Sequence, residues 1–402
     1  MKKLTRLTIN KFRNVAPTTL EFRPGLNVVL GRNAAGKTTL LRLLSTVLDA
    51  PDSSLKDDPF DVSYHVENQS AHIEHNITRT HAANPQLPFR VAQLSQDEAS
   101  ALQQTDTFIV TTGDETIKVE VTPNEVAITQ GESQRRVARP AYSNPLTSAF
   151  TVLFFNETTR NLSLDLMASN IKTPGRLDES LERFNALLKL EIQIGHTGIA
   201  VSSISIPESL VELIHAGIPE GSLATFSPAF LDRAAKALGY DSIAMHLDIA
   251  RLTPEPNRQV TRLSNLRFYL KRMGEEVFHD RLSYGQKRLL SFFTYADSST
   301  EIIITDELVN GLHHDWISSC LSEIGERQAF LTSQNPLLLD FLRFDSAEEV
   351  RRTFILCEQI GTEAGAQLTW RNPSEDEAES FFLAYQTGIQ RVSDILLTKG
   401  LW

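Results

Sequence analysis

The chain has 402 residues, 41% of them hydrophobic and 22% charged, with 19 glycines and 17 prolines, an ordinary globular composition for two or three structural units. Its 39 basic and 50 acidic side chains leave a net charge of −11, which argues against a diffuse nucleic-acid or membrane coat but leaves room for a local basic stripe. Cys320 and Cys357 are too few and too isolated for a disulfide framework or structural zinc, and no apolar run nears the roughly 18 residues that span a bilayer, so a cytoplasmic protein without membrane attachment is expected.

Leu4 to Asn10 alternates as a half-buried strand and Thr19 to Phe22 reads as a second. After the turn at Pro24-Gly25, Leu26-Asn27-Val28-Val29-Leu30 is an apolar run of the kind that forms a buried strand in a parallel sheet. It runs into Gly31-Arg32-Asn33-Ala34-Ala35-Gly36-Lys37-Thr38, which meets G-x-x-x-x-G-K-[ST] at every fixed position. Leucines at 40, 41, 43, 44 and 48 then suit a buried helix over Thr39 to Leu48.

The spacing has a chemical reason. Gly31 and Gly36 let the backbone wrap round phosphates, so that successive N–H groups along Arg32, Asn33, Ala34, Ala35 and on to Thr39 point at the anion. Lys37 reaches the β- and γ-phosphates, and the Thr38 hydroxyl takes one magnesium position. The expected ligands are ATP and Mg2+. A chance glycine-rich turn is the alternative, and the flanking strand and helix count against it.

Residues 61 to 130 look β-rich, with Asp61–Glu67, Ala71–Thr78, Thr107–Val110, Thr116–Val121 and Glu125–Thr129 alternating between turns at Thr112-Gly113-Asp114 and Pro123-Asn124. His65, His72, His75 and His81 cluster here, but His72 and His75 point to opposite faces of a strand, which speaks against a metal site. From about residue 175 to 275 the pattern is helical, over Leu177–Leu190, Pro207–His215, Ser227–Leu238 and Thr261–Met273, and no heptad is sustained.

A P-loop needs an acidic partner strand. Ile302-Ile303-Ile304 is a β-branched run that ends in Thr305-Asp306-Glu307, where Asp306 would hold magnesium and Glu307 would act as general base on the attacking water. Upstream lies Leu282-Ser283-Tyr284-Gly285-Gln286, where a hydroxyl, a glycine backbone and a helix start make a second anion site from Ser283, Gly285 and Gln286. Downstream come Leu308-Val309-Asn310-Gly311-Leu312-His313-His314 and Leu331-Thr332-Ser333-Gln334-Asn335-Pro336. A last strand, Thr353–Cys357, is expected at a sheet edge, followed by a helix near Glu377–Thr387.

In this order the motifs resemble the RecF, SMC and OLD branch of ABC-type ATPases. Asn10-Lys11-Phe12-Arg13-Asn14 resembles the segment after the first strand of that branch, Leu282–Gln286 the ABC signature, Asp306-Glu307 the Walker B pair and Gln334 the switch position. The resemblance implies an α/β fold: a P-loop ABC-type ATPase head with a flanking antiparallel β subdomain, an inserted helical lobe and no long coiled coil. It implies an N-terminal ATPase half over 1–160, the lobe over 161–275 and a C-terminal half over 276–402. It implies that Arg13 approaches the phosphates, with a solvated surface arginine as the even alternative. It places the partner subunit's γ-phosphate at Ser283, Gly285 and Gln286.

Two departures bear on function. Leu308 stands where those families usually have proline, and Gln334 stands where they usually have histidine, so it can hydrogen-bond but not relay a proton, which implies slow or conditional turnover. Arg160, after Phe154-Phe155-Asn156-Glu157, resembles a segment that couples nucleotide to lobe, with a surface arginine as the somewhat stronger alternative. The residues after Pro336 are too few for the Toprim nuclease domain of OLD proteins, so the chain itself is not expected to be a nuclease.

Two functions follow from the resemblance. One is an ATP-gated homodimer, or higher homo-oligomer, that serves as a regulatory, sensor or scaffold subunit in a DNA-related or anti-phage complex with a separate nuclease or toxin effector. The other is a RecF-like repair mediator that binds nucleic acid, for which Arg135-Arg136 with Arg139, or Lys271-Arg272, are the basic candidates. A transporter ATPase subunit fits worse, because Lys37 and Ser283 stand 246 positions apart.

Overall fold

The computed structural model describes residues 2–68, 71–81, 102–140, 143–195, 198–201, 205–255, 258–362 and 365–401. The fold is mixed α/β and divides into two compact units, Met1–Ile171 with Phe344–Gln390 and Asp394–Trp402, and Lys172–Arg343 with Arg391–Ser393.

In the first unit an antiparallel sheet has eight strands in the order Thr18–Glu21, Lys3–Phe12, Phe60–Glu67, His72–His81, Leu102–Thr112, Glu115–Val121, Glu125–Gln130, Ser133–Ala138. Alternation drives it: one face of the last strands carries Phe108, Val110, Ile117, Val119, Val121, Val126 and Ile128, all buried. Against them pack Leu146, Ala149 and Leu153 of the helix Pro145–Phe154 and Leu162 and Leu166 of the helix Arg160–Ala168. Each of the larger side chains, Ala149 apart, contributes about 1.5–3 kcal/mol of burial. His75 is buried on this sheet while His72 is exposed, the opposite-face placement that alternation requires.

The same unit holds the P-loop strand. Leu26–Leu30 pairs in parallel with Phe354–Thr362, through Val28 and Phe354, Val29 and Ile355, and Leu30 and Leu356. Phe354–Thr362 also pairs antiparallel with Gly365–Arg371. The strand expected at an edge near Thr353–Cys357 is therefore flanked on both sides. Its apolar run, Phe354–Cys357, is short, its far half is exposed and Gly365–Arg371 is half polar, so the pattern did not reveal a partner on each side.

In the second unit, Arg176–Leu177, Ile302–Thr305 and Gln328–Thr332 are parallel neighbours. A separate antiparallel sheet runs Gly198–Val201, Ile192–Gly195, Arg258–Arg272, Ser242–Glu255, Leu223–Phe226, with Glu275–Phe278 paired to Arg258–Arg272. Three of the four expected helical stretches contain helices, Glu182–Leu188, Glu208–Ala216 and Ala229–Leu238. The fourth, Thr261–Met273, falls on the strand Arg258–Arg272 and the turn after it, so strands stand beside the helices in this stretch. The cause is a register shift: His246 faces Arg267 while Asp248 faces Ser264, and the extra residue sits by Asn265, whose φ is +55°. The inward side chains become Leu263, Leu266, Phe268 and Leu270, and the step of three between the first two imitates a helix.

Candidate nucleotide site

The expected phosphate loop, Gly31–Thr38, lies in the first unit. Gly31 has φ +143°, and a Cβ there would meet the Cys357 carbonyl oxygen at 2.1 Å. Gly36 has φ +86° and caps the helix Lys37–Val47, and its Cβ would meet Leu368 Cδ1 at 2.8 Å and Trp370 Nε1 at 3.1 Å. Both positions thus require glycine on sterics as well as φ. Ala34, at φ +65°, adds a further left-handed turn, and such alternation gathers N–H groups into an anion nest.

Lys37 is 8% exposed, and its Nζ donates to the Gly31 carbonyl at 2.8 Å and the Arg32 carbonyl at 3.1 Å. Trp370, fully buried, supports the loop from below and donates to the Ala35 carbonyl at 3.4 Å. Thr38 and Thr39 are half-buried in the first helical turn, while Arg32, Asn33 and Ala34 are exposed. Beside the loop a pocket of about 500 Å³ is lined by Gly31, Arg32, Asn33, Cys357, Glu358 and Gln359 among others. Burial pushes the Cys357 thiol up to about 12, against the pull of Lys37, so it stays a neutral thiol.

Arg13 is committed elsewhere among its described contacts. Its φ is +44°, and its guanidinium donates to Asp58 Oδ2 at 2.9 and 2.5 Å and to the Ser54 carbonyl at 3.1 Å. Arg160 is exposed and lies over the Phe154 ring at 5.4 Å, donating to the Phe154 carbonyl at 3.4 Å.

The acidic pair lies in the second unit. Ile302, Ile303, Ile304 and Thr305 are all fully buried, and Asp306 follows at 7% exposure. Its backbone N–H donates to the Leu177 carbonyl at 2.7 Å. Thr332 orders both acids at once: its hydroxyl donates to Asp306 Oδ1 at 2.5 Å and accepts from the Glu307 N–H at 2.8 Å. Arg176 Nη1 donates to Asp306 Oδ2 at 3.3 Å. Glu307 has φ +53°, a strained conformation for a residue with a side chain. Gln334 Nε2 donates to Glu307 Oε1 at 2.9 Å, while Glu307 Oε2 and Thr305 Oγ1 are buried without a hydrogen-bond partner.

The signature segment caps its own helix. Ser283 Oγ accepts from the Gln286 N–H at 3.3 Å and the Ser283 N–H donates to Gln286 Oε1 at 2.9 Å, a capping box that starts the helix Tyr284–Asp297. Gly285 lies under Trp316, whose Cζ3 a Cβ would meet at 3.1 Å. One turn on, Arg288 is buried and donates to the carbonyls of Glu307 at 2.6 Å, Leu308 at 3.2 Å and Asn310.

Sequence reading missed Arg176, Arg288 and Thr332. The first lies far ahead of the motifs, Arg288 lies two residues past Leu282–Gln286, and Thr332 is an unremarkable letter inside Leu331–Pro336. Asp306 offers a carboxylate oxygen of the kind a hard cation prefers, and its chain neighbours Thr305 and Glu307 each carry a buried oxygen, Oγ1 and Oε2, without a hydrogen-bond partner. Among the described residues no group of three or more His, Cys, Asp or Glu is placed to hold a metal, so a cation at Asp306 would take its other ligands from phosphate and water, as magnesium does.

A family model described as an AAA domain matches residues 6–194. The chain is also similar to curated proteins named DNA replication and repair protein RecF. One, from Psychromonas ingrahamii, is 51% identical over 41 residues, 10% of this chain and 11% of the relative. Those of Haemophilus ducreyi and Staphylococcus haemolyticus are 28% and 30% identical over 119 and 102 residues, covering 29% and 25% of this chain and 29% and 27% of theirs. The chain thus spans less than a third of the length of these relatives. Among solved structures it resembles an Smc head bound to the C-winged helix domain of ScpA, at TM-score 0.42 and 12% identity over 92% of this chain and 98% of that one. A RecF structure of the RecFOR pathway gives 0.30 and 11% over 83% and 93%. Among the described residues no helix is long and apolar enough to cross a membrane.

Proposed function

We propose that the protein binds and hydrolyses ATP, closes head to tail around it as a homodimer or higher homo-oligomer, and serves as a regulated subunit. The observation that carries this reading is the cradle at Gly31–Lys37, which admits no Cβ at either glycine and holds a buried ammonium over loop carbonyls that a phosphate must displace. The AAA match over residues 6–194 supports it.

In this reading Lys37 leaves the Gly31 and Arg32 carbonyls for the β- and γ-phosphates. Glu307 accepts the proton of the attacking water, and Gln334 steadies its carboxylate through Oε1. Mg2+, held by Thr38 and Asp306, would offset charge on the phosphates. Ser283, Gly285 and Gln286 would meet the partner subunit's nucleotide. Residues 1–160 and 276–402 supply the ATPase halves and 161–275 the insert. With a glutamine at the switch, turnover is slow, which suits a sensor or scaffold for a separate effector nuclease or toxin, as in anti-phage defence.

The test is direct. Lys37→Ala should abolish ATP binding, and Glu307→Gln should bind ATP normally but lose turnover about 10²-fold or more. Wild-type hydrolysis by Glu307→Gln would remove the general-base assignment. The RecF relatives' names favour a second reading, a DNA repair mediator. Of its basic candidates, Arg136 pairs with Glu125 at 3.2 Å and Lys271 with Glu276 at 3.4 Å. Duplex binding that appears with ATP and falls steeply with salt would choose it.

A further inference from the structure

Arg176 holds a place that a metal would contest. It sits 130 positions ahead of Asp306 in sequence and is brought there by backbone register, not by a flexible arm. Arg176 pairs with Ile304 and Leu177 with Thr305 in parallel strands, so the guanidinium arrives beside the carboxylate that follows Thr305. Its side chain is 11% exposed and that of Asp306 9%. A pair so enclosed interacts more strongly than one in water.

The guanidinium has two seats. Nη1 donates to Asp306 Oδ2 at 3.3 Å and Nη2 to Asp178 Oδ2 at 3.4 Å. Asp178 is itself fixed, because its Oδ1 accepts from the Ser180 N–H at 3.0 Å and the Ser180 hydroxyl at 2.6 Å. Asp306 Oδ1 is taken by Thr332, so Oδ2, the oxygen Arg176 holds, is the one an incoming cation must win. A like charge on that oxygen weakens cation binding, and Asp178 offers the guanidinium a second anion to move towards.

We propose that Arg176 is a positioning residue that competes with the divalent cation for Asp306, so that metal binding shifts the guanidinium onto Asp178 and the Arg176–Asp178 pair sets how tightly the cation is held. This rests on the assignment of Asp306 as metal ligand.

The test uses Mn2+ alone as probe, titrated into the full-length chain and followed by the electron paramagnetic resonance of the free ion. Arg176→Gln should bind Mn2+ about 10-fold more tightly than wild type, and Arg176→Lys, which keeps the charge, should match wild type. Adding Asp306→Asn to Arg176→Gln should remove the gain. Equal Mn2+ affinity in wild type and Arg176→Gln, or a gain that survives Asp306→Asn, overturns the proposal. Should Arg176→Gln not fold, Asp178→Asn decides instead: it removes the second seat and should weaken Mn2+ several-fold, and unchanged affinity overturns the proposal. ATP binding is followed separately in EDTA by tryptophan fluorescence, with Trp370 beneath the loop. Its failure would strike the proposed function, while the Mn2+ comparison still decides the role of Arg176.

Discussion

At the scale of single residues, the cradle is governed by what cannot be there. A methyl at Gly31 would overlap the Cys357 carbonyl at 2.1 Å, and Cys357 is held in a strand paired through Trp370, so its carbonyl cannot rotate away as a side-chain tip can. Gly31→Ala should therefore cost about 1–3 kcal/mol or more in denaturant unfolding and should weaken ATP binding with it. A variant as stable as wild type would mean that the strand Phe354–Thr362 yields to the loop. Both glycines and Lys37 were legible in the sequence because the P-loop pattern encodes those backbone demands. Arg176 was not, since nothing in a linear pattern says which strand will lie beside Ile302–Thr305.

At the scale of elements, the acidic pair is ordered by its neighbour strand. Ile302–Thr305 places Asp306 and Glu307, and Gln328–Thr332, parallel to it, ends on the hydroxyl that binds both. Thr332→Val keeps the shape but deletes a donor to Asp306 and an acceptor for the Glu307 N–H. We expect a loss of about 1–3 kcal/mol in stability and a marked loss of turnover with ATP binding retained. Wild-type turnover would show that Glu307 holds its strained φ without that bond. The strand at 302–305 was readable because the run is short, β-branched and bounded by charge, which favours a strand over a buried helix. The segment 261–273 was misread because a single extra residue beside Asn265 breaks the period of two, so local spacing named the wrong element. The edge strand was misplaced for a related reason: partner strands on both sides are a long-range fact, and the exposed half of Phe354–Thr362 hides it.

At the scale of the whole molecule, the proposed clamp makes the signature segment the surface on which copies would meet. Ser283 and Gln286 cap their own helix, Tyr284 is 55% exposed, and its hydroxyl donates to the Glu179 carbonyl at 2.5 Å, so this helix start is rigid before any partner arrives. A preformed surface loses little entropy on docking, which leaves the nucleotide as the component that tips the balance. In that clamp, an ATP held by one copy and capped by the Ser283 segment of another would make two identical contacts about a twofold axis, and association would then be linked to ATP by mass action. Light scattering of Glu307→Gln, which holds ATP unhydrolysed, should give a monomer alone, a monomer with Mg-ADP and a dimer with Mg-ATP. Ser283→Arg, which places bulk and charge at the capping position, should leave ATP binding intact and abolish the dimer. An oligomer that forms equally without nucleotide would overturn the clamp, because its interface would then owe nothing to the phosphate at Lys37.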